Sequence, residues 1–379
     1  MTDPVAEAQA LIGRAHRELI ASLLPPDEPI WDVHAHLGED DDGSLLDPPT
    51  LLDDMRRFGV ARSFVFPFRQ RSLAGYRDRN DAMIAAAEAS GGSLVPFCRV
   101  EPGDGAVGEL ERALDAGACG IKLHPLTGRF EIGDPLVDAA MALAAERSVP
   151  VLLHAGRGIA PFMHDLEGMV RRRSEAQVIL AHAGIGDHEA VVAASAAHPN
   201  LVFDVAVWNL LDLCSLIARV APEQILYGTD APYYGHACVQ AKLGLALAAA
   251  GAAADQAAAI LGGNAQRVER GRSADRVSPP LGVPEPTAGY SALRAHEYVL
   301  ACIPLVWTRQ PDLLDALRLA EHTIDRTASP GHAAASEMLA LARKTWRHEL
   351  EVGSRREILS LSWTTFRLLE FADALLLCP

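Results

Sequence analysis

The chain of 379 residues is 49% hydrophobic and carries 34 Lys and Arg against 49 Asp and Glu, which gives a formal charge of −15. This length exceeds that of a typical single domain and fits a barrel with an appended segment. The negative charge repels nucleic acid and anionic membranes, so we expect neither of them as a partner.

The six cysteines are scattered along the chain and form no C-x-x-C pair. This pattern argues against a zinc knuckle or a disulfide framework and is typical of a reducing compartment. The N terminus shows no signal-peptide pattern, and the longest apolar tract, LGLALAAAGAAA, is too short to span a bilayer. We therefore expect a cytoplasmic protein.

Residues 1–28 predict an extra helix ahead of the first strand. Eight short apolar or β-branched runs then alternate with alanine-rich stretches, at the spacing of about 25–30 residues that a βα unit needs. The runs are, in chain order, IWDVHAH, SFVFPF, LVPFCRV, CGIKLHP, VPVLLHAG, AQVILAHAG, LVFDVAV and QILYGTD. Several are apolar on both faces, as parallel strands covered by helices should be.

This alternation predicts an α/β protein whose residues 1–278 contain a (β/α)8 TIM barrel. A doubly wound open sheet is the rival, but its glycine-rich phosphate loop after the first strand is missing. The Pro- and Gly-rich break SPPLGVPEPTAGY places a domain boundary near residue 278. Beyond it, apolar residues spaced by about 3.6 predict that residues 279–379 form a C-terminal helical extension.

Active sites of such barrels lie at the carboxyl ends of the strands, and ligand-type side chains end four of the predicted strands. These side chains are His34, His36, His154, His182 and Asp230. Residues i and i+2 of a strand face the same side, so the first two imidazoles should converge. Core packing alone does not explain five such residues at one end of four strands, and we interpret them as a metal site.

The motifs DVHAH, GIKLHP, PVLLHAG, VILAHAG, ILYGTDAP and ILGGNAQR, with RNDAM and FCRVEP, together resemble the amidohydrolase superfamily. In particular they resemble its amidohydrolase-related (amidohydrolase 2) branch of metal-dependent TIM-barrel hydrolases. The resemblance covers residues 28–270 and does not extend to the C-terminal segment. The branch resembles lactonases, decarboxylases, hydratases and amide hydrolases alike, so it does not define a substrate.

Neutral imidazoles and a carboxylate suit Zn²⁺ or another divalent metal with an open position for water, and we expect one ion rather than two. Zinc lowers the pKa of such a water to about 7. Asp230 is then the expected general base, which takes a proton from the water and passes it to the leaving group. His182 either binds a second metal or hydrogen-bonds the attacking water.

Lys122 has two interpretations, both of which come from the resemblance. In binuclear members of the superfamily, the lysine of the fourth strand is carboxylated and bridges two metals. In the presumed hydrolases with a GIKLHP pattern, it stays cationic and binds a substrate anion, and His124 can do the same. We expect the second arrangement.

Strand position alone adds further candidates for substrate contact at the barrel mouth. They are Arg69, Arg99, Arg157, Trp208, Tyr233 and Tyr234. Arginines at these positions can hold a carboxylate, and salt bridges on the rim are the alternative.

Three functions remain open at this point. The first is a metal-dependent hydrolase that cleaves an amide, lactone or related C–N or C–O bond of a small-molecule or peptide substrate. The second is a non-oxidative decarboxylase or hydratase of a small unsaturated or aromatic acid; decarboxylases of this branch commonly lack the GIKLHP pattern, so hydrolysis is favoured. The third is a metal-bound scaffold whose C-terminal helices bind a partner. These helices either cover the barrel mouth or form a homodimer.

Overall fold

Eight parallel strands and one short antiparallel strand form a sheet in the computed structural model, which describes residues 3–377 except 26–27, 157, 160, 284–287 and 353. The strands are β1 Ile30–Glu39, β2 Leu45–Leu46, β3 Val60–Pro67, β4 Leu94–Arg99, β5 Gly120–Leu123, β6 Val151–His154, β7 Val178–Ala181, β8 Leu201–Asp204 and β9 Ile225–Leu226. All eight predicted strands are confirmed. The short β2, which pairs antiparallel with β1, was not predicted.

The sheet closes into a barrel between its last strand and its first. From β3 to β9 each strand pairs in parallel with the next along the chain, and β3 pairs with β1. At the closure, the Val33 N–H donates to Tyr227 O at 3.0 Å and the Asp230 N–H donates to His34 O at 2.7 Å. Ala35 also forms a parallel bridge with Ala231. The predicted TIM-barrel fold is therefore confirmed.

Helices follow the strands around the outside of the barrel. They are α1 Pro4–Ala15, α2 Pro48–Arg57, α3 Leu73–Ala89, α4 Ala106–Asp115, α5 Pro125–Gly128, α6 Pro135–Arg147, α7 Met163–Arg172, α8 His188–Ser195, α9 Leu210–Ile217, α10 His236–Ala249, α11 Ala254–Ala258, α12 Asn264–Glu269, α13 Tyr290–Trp307, α14 Leu313–Thr323, α15 Pro330–Glu351 and α16 Arg355–Leu377. No helix of the described residues has the length and the apolar composition needed to cross a membrane.

Alternate positions of the strands supply two separate apolar cores. Phe64 and Phe66 of β3 belong to one buried cluster with Val95 and Phe97 of β4, and that cluster continues around the barrel to β9. The intervening positions, such as Val65, belong to the larger cluster between the strands and the helices. Because both faces of each strand are covered, the strands show apolar runs without a polar face.

The C-terminal helices α13 to α16 pack on one another and against the barrel's own helices. α16 contacts α9 and α10, and α15 contacts α1. Lys242 of α10 reaches across this contact: its Nζ donates to Glu370 Oε2 of α16 at 2.6 Å, and both side chains are buried. Within the extension, His296 Nδ1 lies 2.6 Å from Asp373 Oδ1. His296 is thus paired with a residue of the same helix bundle, and it lies far along the chain from the barrel histidines. The predicted helical extension is confirmed.

Candidate metal centre

The polar side chains predicted as metal ligands meet at the carboxyl ends of the barrel strands. His34 and His36 belong to β1, His154 ends β6, His182 follows β7, and Asp230 follows β9. His34, His36, His182 and Asp230 are buried, and His154 is half-buried. Apart from Asp32 of β1, these strands are apolar up to this point, so the ligand-type groups begin near the end of the hydrophobic core.

The two imidazoles of β1 turn towards one carboxylate. His34 Nε2 and His36 Nε2 lie 3.0 and 3.2 Å from Asp230 Oδ1. One ligand atom each from His34, His182 and Asp230 lies within 4.8 Å of the other two. A shift in the pairing of β1 with β3 falls between Asp32 and Ala35, and such an irregularity changes the direction of nearby strand side chains. Three distant segments thus bring nitrogen and carboxylate donors together.

Asp204, at the end of β8, holds the other nitrogen of His34. Its Oδ2 lies 2.5 Å from His34 Nδ1, and its Oδ1 accepts the Ala206 N–H at 2.8 Å. A side chain at Gly228 would place Cβ 2.0 Å from Asp204 Oδ1, so only glycine fits beside this carboxylate. A carboxylate bonded to one ring nitrogen fixes the orientation of a ligand histidine and leaves the other nitrogen for a metal. Asp204 was not predicted as a site residue, although it is the acidic residue that ends the apolar run LVFD.

The histidines of β6 and β7 form a second row beside this group. His182 Nε2 lies 3.1 Å from His154 Nδ1, and His182 Nδ1 lies 3.2 Å from the backbone oxygen of Ala206. His124 stacks on His154 with ring centroids 3.7 Å apart. His154 Nε2 is buried and has no hydrogen-bond partner among the described residues. The row therefore presents an unused nitrogen to the same end of the barrel.

The backbone around His182 and Asp230 is held in an unusual conformation. Both residues have φ of 57°, in the left-handed region that non-glycine residues rarely adopt. The Trp208 indole N–H donates to the backbone oxygen of His182 at 2.6 Å. Asp32 accepts the Thr229 N–H and hydroxyl at 2.9 and 2.6 Å, just ahead of Asp230. Backbone strain of this kind persists where surrounding contacts impose it, and it concentrates at functional sites.

The electrostatics of the site keep His36 and His182 neutral and Asp230 ionised. Burial lowers the pKa of His36 to about 3 and that of His182 to about 4, so both rings are neutral at pH 7. Burial alone would raise the pKa of Asp230, but His34 and His36 outweigh it and hold that pKa well below its usual value. Burial and Lys122 lower the pKa of His34, yet Asp230 and Asp204 outweigh both and raise it. The carboxylates of Asp230 and Asp204 therefore favour a positive charge next to them at the centre of the site.

Lys122 lies against His34 of the site and does not line its open cavity. It is fully buried, with Nζ 3.4 Å from His34 Nε2 and 4.3 Å from the centroid of the Phe66 ring. Burial lowers its pKa to about 7, even though Asp230 acts in the opposite direction. Lys122 is not among the residues that line the cavity described next, so its position favours contact with His34 over contact with a substrate anion.

A cavity of about 420 Å³ opens above the histidines, a size typical of small-molecule sites. Its lining contains four of the predicted ligands, five of the residues predicted to contact substrate, and Trp307 from α13. The predicted residues are His36, His154, His182, Asp230, Arg69, Arg99, His124, Tyr233 and Tyr234. Trp307 was not predicted, because nothing in its local sequence shows that α13 reaches the barrel mouth.

The polar groups predicted to bind substrate already have partners in the protein. Arg99 donates to Pro67 O at 3.1 Å and to Thr127 Oγ1 at 2.7 Å, and its buried Nε has no partner among the described residues. The Tyr233 hydroxyl donates to Asp40 Oδ2 at 2.7 Å. Arg69 lines the cavity and forms an ion pair with Glu101 at 2.9 Å.

Three predicted candidates for substrate contact remain, namely Trp208, Tyr234 and Arg157. Trp208 is buried and bonds the His182 backbone, so it supports the site without lining the cavity. Tyr234 does line the cavity. The predicted substrate contact of Arg157 lies outside the described residues.

The donor set fits a divalent cation by its own chemistry. It combines neutral imidazole nitrogens, an ionised carboxylate and an unused buried nitrogen on His154. Gly156 leaves room beside the rings: a Cβ there would lie 2.8 Å from His182 Cδ2 and 2.9 Å from His154 Cε1. Asp204 supplies the outer carboxylate that ligand histidines usually have. Nitrogen and oxygen donors of this kind suit zinc and its neighbours in the first transition row.

Comparisons with known proteins agree with this barrel. An uncharacterized TIM-barrel protein from Bordetella bronchiseptica is 18% identical over 59% of this chain and 83% of its own, with a TM-score of 0.50. A 2,6-dihydroxybenzoate decarboxylase from Rhizobium is 15% identical over 64% of this chain and 98% of its own, also with a TM-score of 0.50. An IDCase from Metarhizium anisopliae has the same TM-score, at 13% identity over 65% and 98%. A search of curated proteins found no match.

A family model gives the assignment that these distant structures cannot give. The model described as amidohydrolase (Amidohydro_2) matches residues 31–268, which include every predicted metal ligand and Asp204. The C-terminal helices α13 to α16 lie beyond the match. The match covers more than half of the chain and ends near the close of the barrel, and we conclude that this chain belongs to the amidohydrolase family.

Proposed function

We propose that the chain is a metal-dependent hydrolase of a small substrate with an amide, lactone or related C–N or C–O bond. The observation that carries the proposal is the convergence of His34 Nε2 and His36 Nε2 on Asp230 Oδ1, with Asp204 on the far nitrogen of His34. His34, His36, His154 and Asp230 would hold one divalent ion, with His182 beside them.

When bound, a divalent ion supplies Lewis acidity: it polarises a carbonyl group and lowers the pKa of water. The chain supplies the proton transfers. Asp230 is ionised, because its pKa is held well below neutral pH, and is therefore competent as a base. Its Oδ1 faces His34 and His36, so we assign the proton of the attacking water to Oδ2. From there the proton passes to the leaving nitrogen or oxygen.

His182 positions the proposed metal ligand His154. Its Nδ1 faces the Ala206 carbonyl, which fixes the proton on that nitrogen and leaves Nε2 to accept a hydrogen bond from His154 Nδ1 at 3.1 Å. His154 Nε2 then carries no proton and is available to the ion, and burial keeps the His182 ring neutral. Arg99 and Tyr233 line the cavity, and we assign to them contact with the polar groups of the substrate.

Replacing Asp230 with Asn tests the assignment, because the change keeps the shape of the side chain and removes the proton acceptor. A panel of lactones and N-acyl amides is assayed with the purified protein, and release of CO2 from aromatic and unsaturated acids is followed in parallel. We expect hydrolysis by the wild type and by Asp315→Asn, a matched change on the exposed surface of α14, and none by Asp230→Asn. Release of CO2 with no hydrolysis would establish the decarboxylase alternative instead.

A further inference from the structure

A second cavity adjoins the metal-site cavity on the side of the C-terminal helices. It has a volume of about 380 Å³ and shares Val207, Tyr234 and Trp307 with the first. Its other walls come mainly from α13 and α16, which lie beyond the part of the chain that the family model matches. We call this second cavity the tail groove, and its lining from these two helices is Leu300, Ile303, Pro304, Trp307, Phe366 and Glu370.

The polar residues of the tail groove are engaged within the protein. Glu370 accepts the Lys242 ammonium at 2.6 Å. Asn209 caps α9: its Oδ1 accepts the Asp212 N–H at 2.9 Å, and its Nδ2 donates to Asp212 Oδ2 at 2.6 Å. The surface that is left for a ligand is therefore the apolar one.

The aromatic residues of the groove pack on one another along a wall that runs to the barrel mouth. The Trp307 ring packs edge-to-face on Phe366, with centroids 5.4 Å apart, and Tyr234 packs on Phe366 at 4.8 Å. Trp307 nevertheless remains 52% exposed, and Leu300, two turns earlier on α13, remains 37% exposed. Exposed apolar surface of this kind, continuous with a polar site, is typical of ligand-binding grooves.

We propose that the tail groove binds an apolar acyl or aryl tail of the substrate, which makes the substrate class an amphiphilic amide or ester. This assignment rests on the proposed function, since the scissile carbonyl would lie in the first cavity beside Asp230. The tail passes Val207, Tyr234 and Trp307, the residues common to both cavities, and lies along Leu300 and Ile303. The C-terminal extension thereby selects the substrate while the barrel performs the chemistry.

Methyl ketones from butanone to decanone are suitable probes, because they carry the carbonyl group and the tail but no bond that can be hydrolysed or decarboxylated. Their dissociation constants are measured by isothermal titration calorimetry with the purified full-length protein. For the wild type we expect the dissociation constant to fall about fourfold with each added methylene group, the effect of burying one CH2. Since no reaction is needed, a failure of this test and a failure of the hydrolase assignment are observed separately.

Two variants of α13 locate the tail. Leu300→Glu changes a partly exposed side chain and should not disturb folding, and Ile303→Glu places a charge deeper in the groove; circular dichroism checks both. We expect each variant to abolish the gain per methylene group while butanone binds as before. Leu319→Glu is the matched control on α14: its side chain is 51% exposed outside the groove, and it should retain the fourfold gain.

Three results would overturn the proposal. One is a wild-type dissociation constant that does not depend on tail length. Another is a gain per methylene group that survives both Leu300→Glu and Ile303→Glu. The third is a wild-type dimer in size-exclusion chromatography that Leu300→Glu converts to a monomer, because a second copy of the chain would then cover the groove.

Discussion

Asp204→Asn should remove His34 from the metal centre without unfolding the barrel. Asp204 Oδ1 accepts the Ala206 N–H, while Oδ2 faces His34 Nδ1. An asparagine in this place keeps its oxygen on the Ala206 N–H and turns its NH2 group towards His34. Because NH2 is only a donor, the ring must then accept at Nδ1 and carry its proton on Nε2. That proton blocks the nitrogen which faces Asp230.

Loss of a partner of this kind lowers metal affinity by about ten- to a hundredfold, or roughly 1.4 to 2.7 kcal/mol. The assay is a titration of metal-free protein with zinc in competition with a chromogenic chelator. Asp315→Asn should bind as the wild type does, since its carboxylate lies on the surface of α14. Thermal unfolding of the metal-free variants checks that the barrel is intact. An Asp204→Asn protein with unchanged zinc affinity would refute the role given to Asp204.

Three further changes probe the site and its supporting helices. Gly156→Ala should weaken metal binding, because its Cβ would lie 2.8 Å from the nearest histidine ring atom. Gly133→Ala is the control, since its Cβ meets open space and should have no effect. Competition with a chelator for zinc distinguishes the two variants. Lys242→Met should destabilise the protein by about 3–5 kcal/mol in urea unfolding, because Glu370 is left buried without a cation, and a stability equal to wild type would contradict this. Deletion of residues 280–379 should leave metal binding intact but lower solubility, because the helices that these residues cover become exposed. Zinc titration measures the metal binding, and sedimentation measures the solubility. Loss of metal binding in a folded truncated protein would contradict the accessory role of the C-terminal helices.

The barrel and the position of its active end could be predicted because both depend on local patterns. The strands of the barrel are short, mostly apolar runs, and in four of them a ligand-type residue lies at or just past the carboxyl end, as in VLLH of β6 and the GTD that follows β9. The convergence of His34 and His36 follows from their spacing in one strand. Asp204 was available to the same argument, since it ends the LVFD run of β8, but its contact with His34 depends on closure of the barrel.

Tertiary packing determines the features that the sequence did not reveal. Lys122 occupies the same kind of strand-end position as His154, yet its side chain is fully buried against His34 and Phe66 and does not line the cavity. Trp307 lies 77 residues beyond Asp230 in a helical segment, and no local pattern distinguishes it from a core tryptophan such as Trp346. It reaches the cavity only because α13 and α16 pack together at the barrel mouth.

Metal analysis of protein purified without chelators tests the central claim most directly. The donor set of imidazole nitrogens and one carboxylate predicts about one zinc-like divalent ion per chain, and a His34→Ala, Asp230→Ala double variant should retain none. Two ions per chain, together with the added mass of a carboxyl group on Lys122, would show that the site is binuclear and bridged by a carboxylated lysine. Protein that contains no metal as purified, and takes up none when zinc is added, would contradict the account.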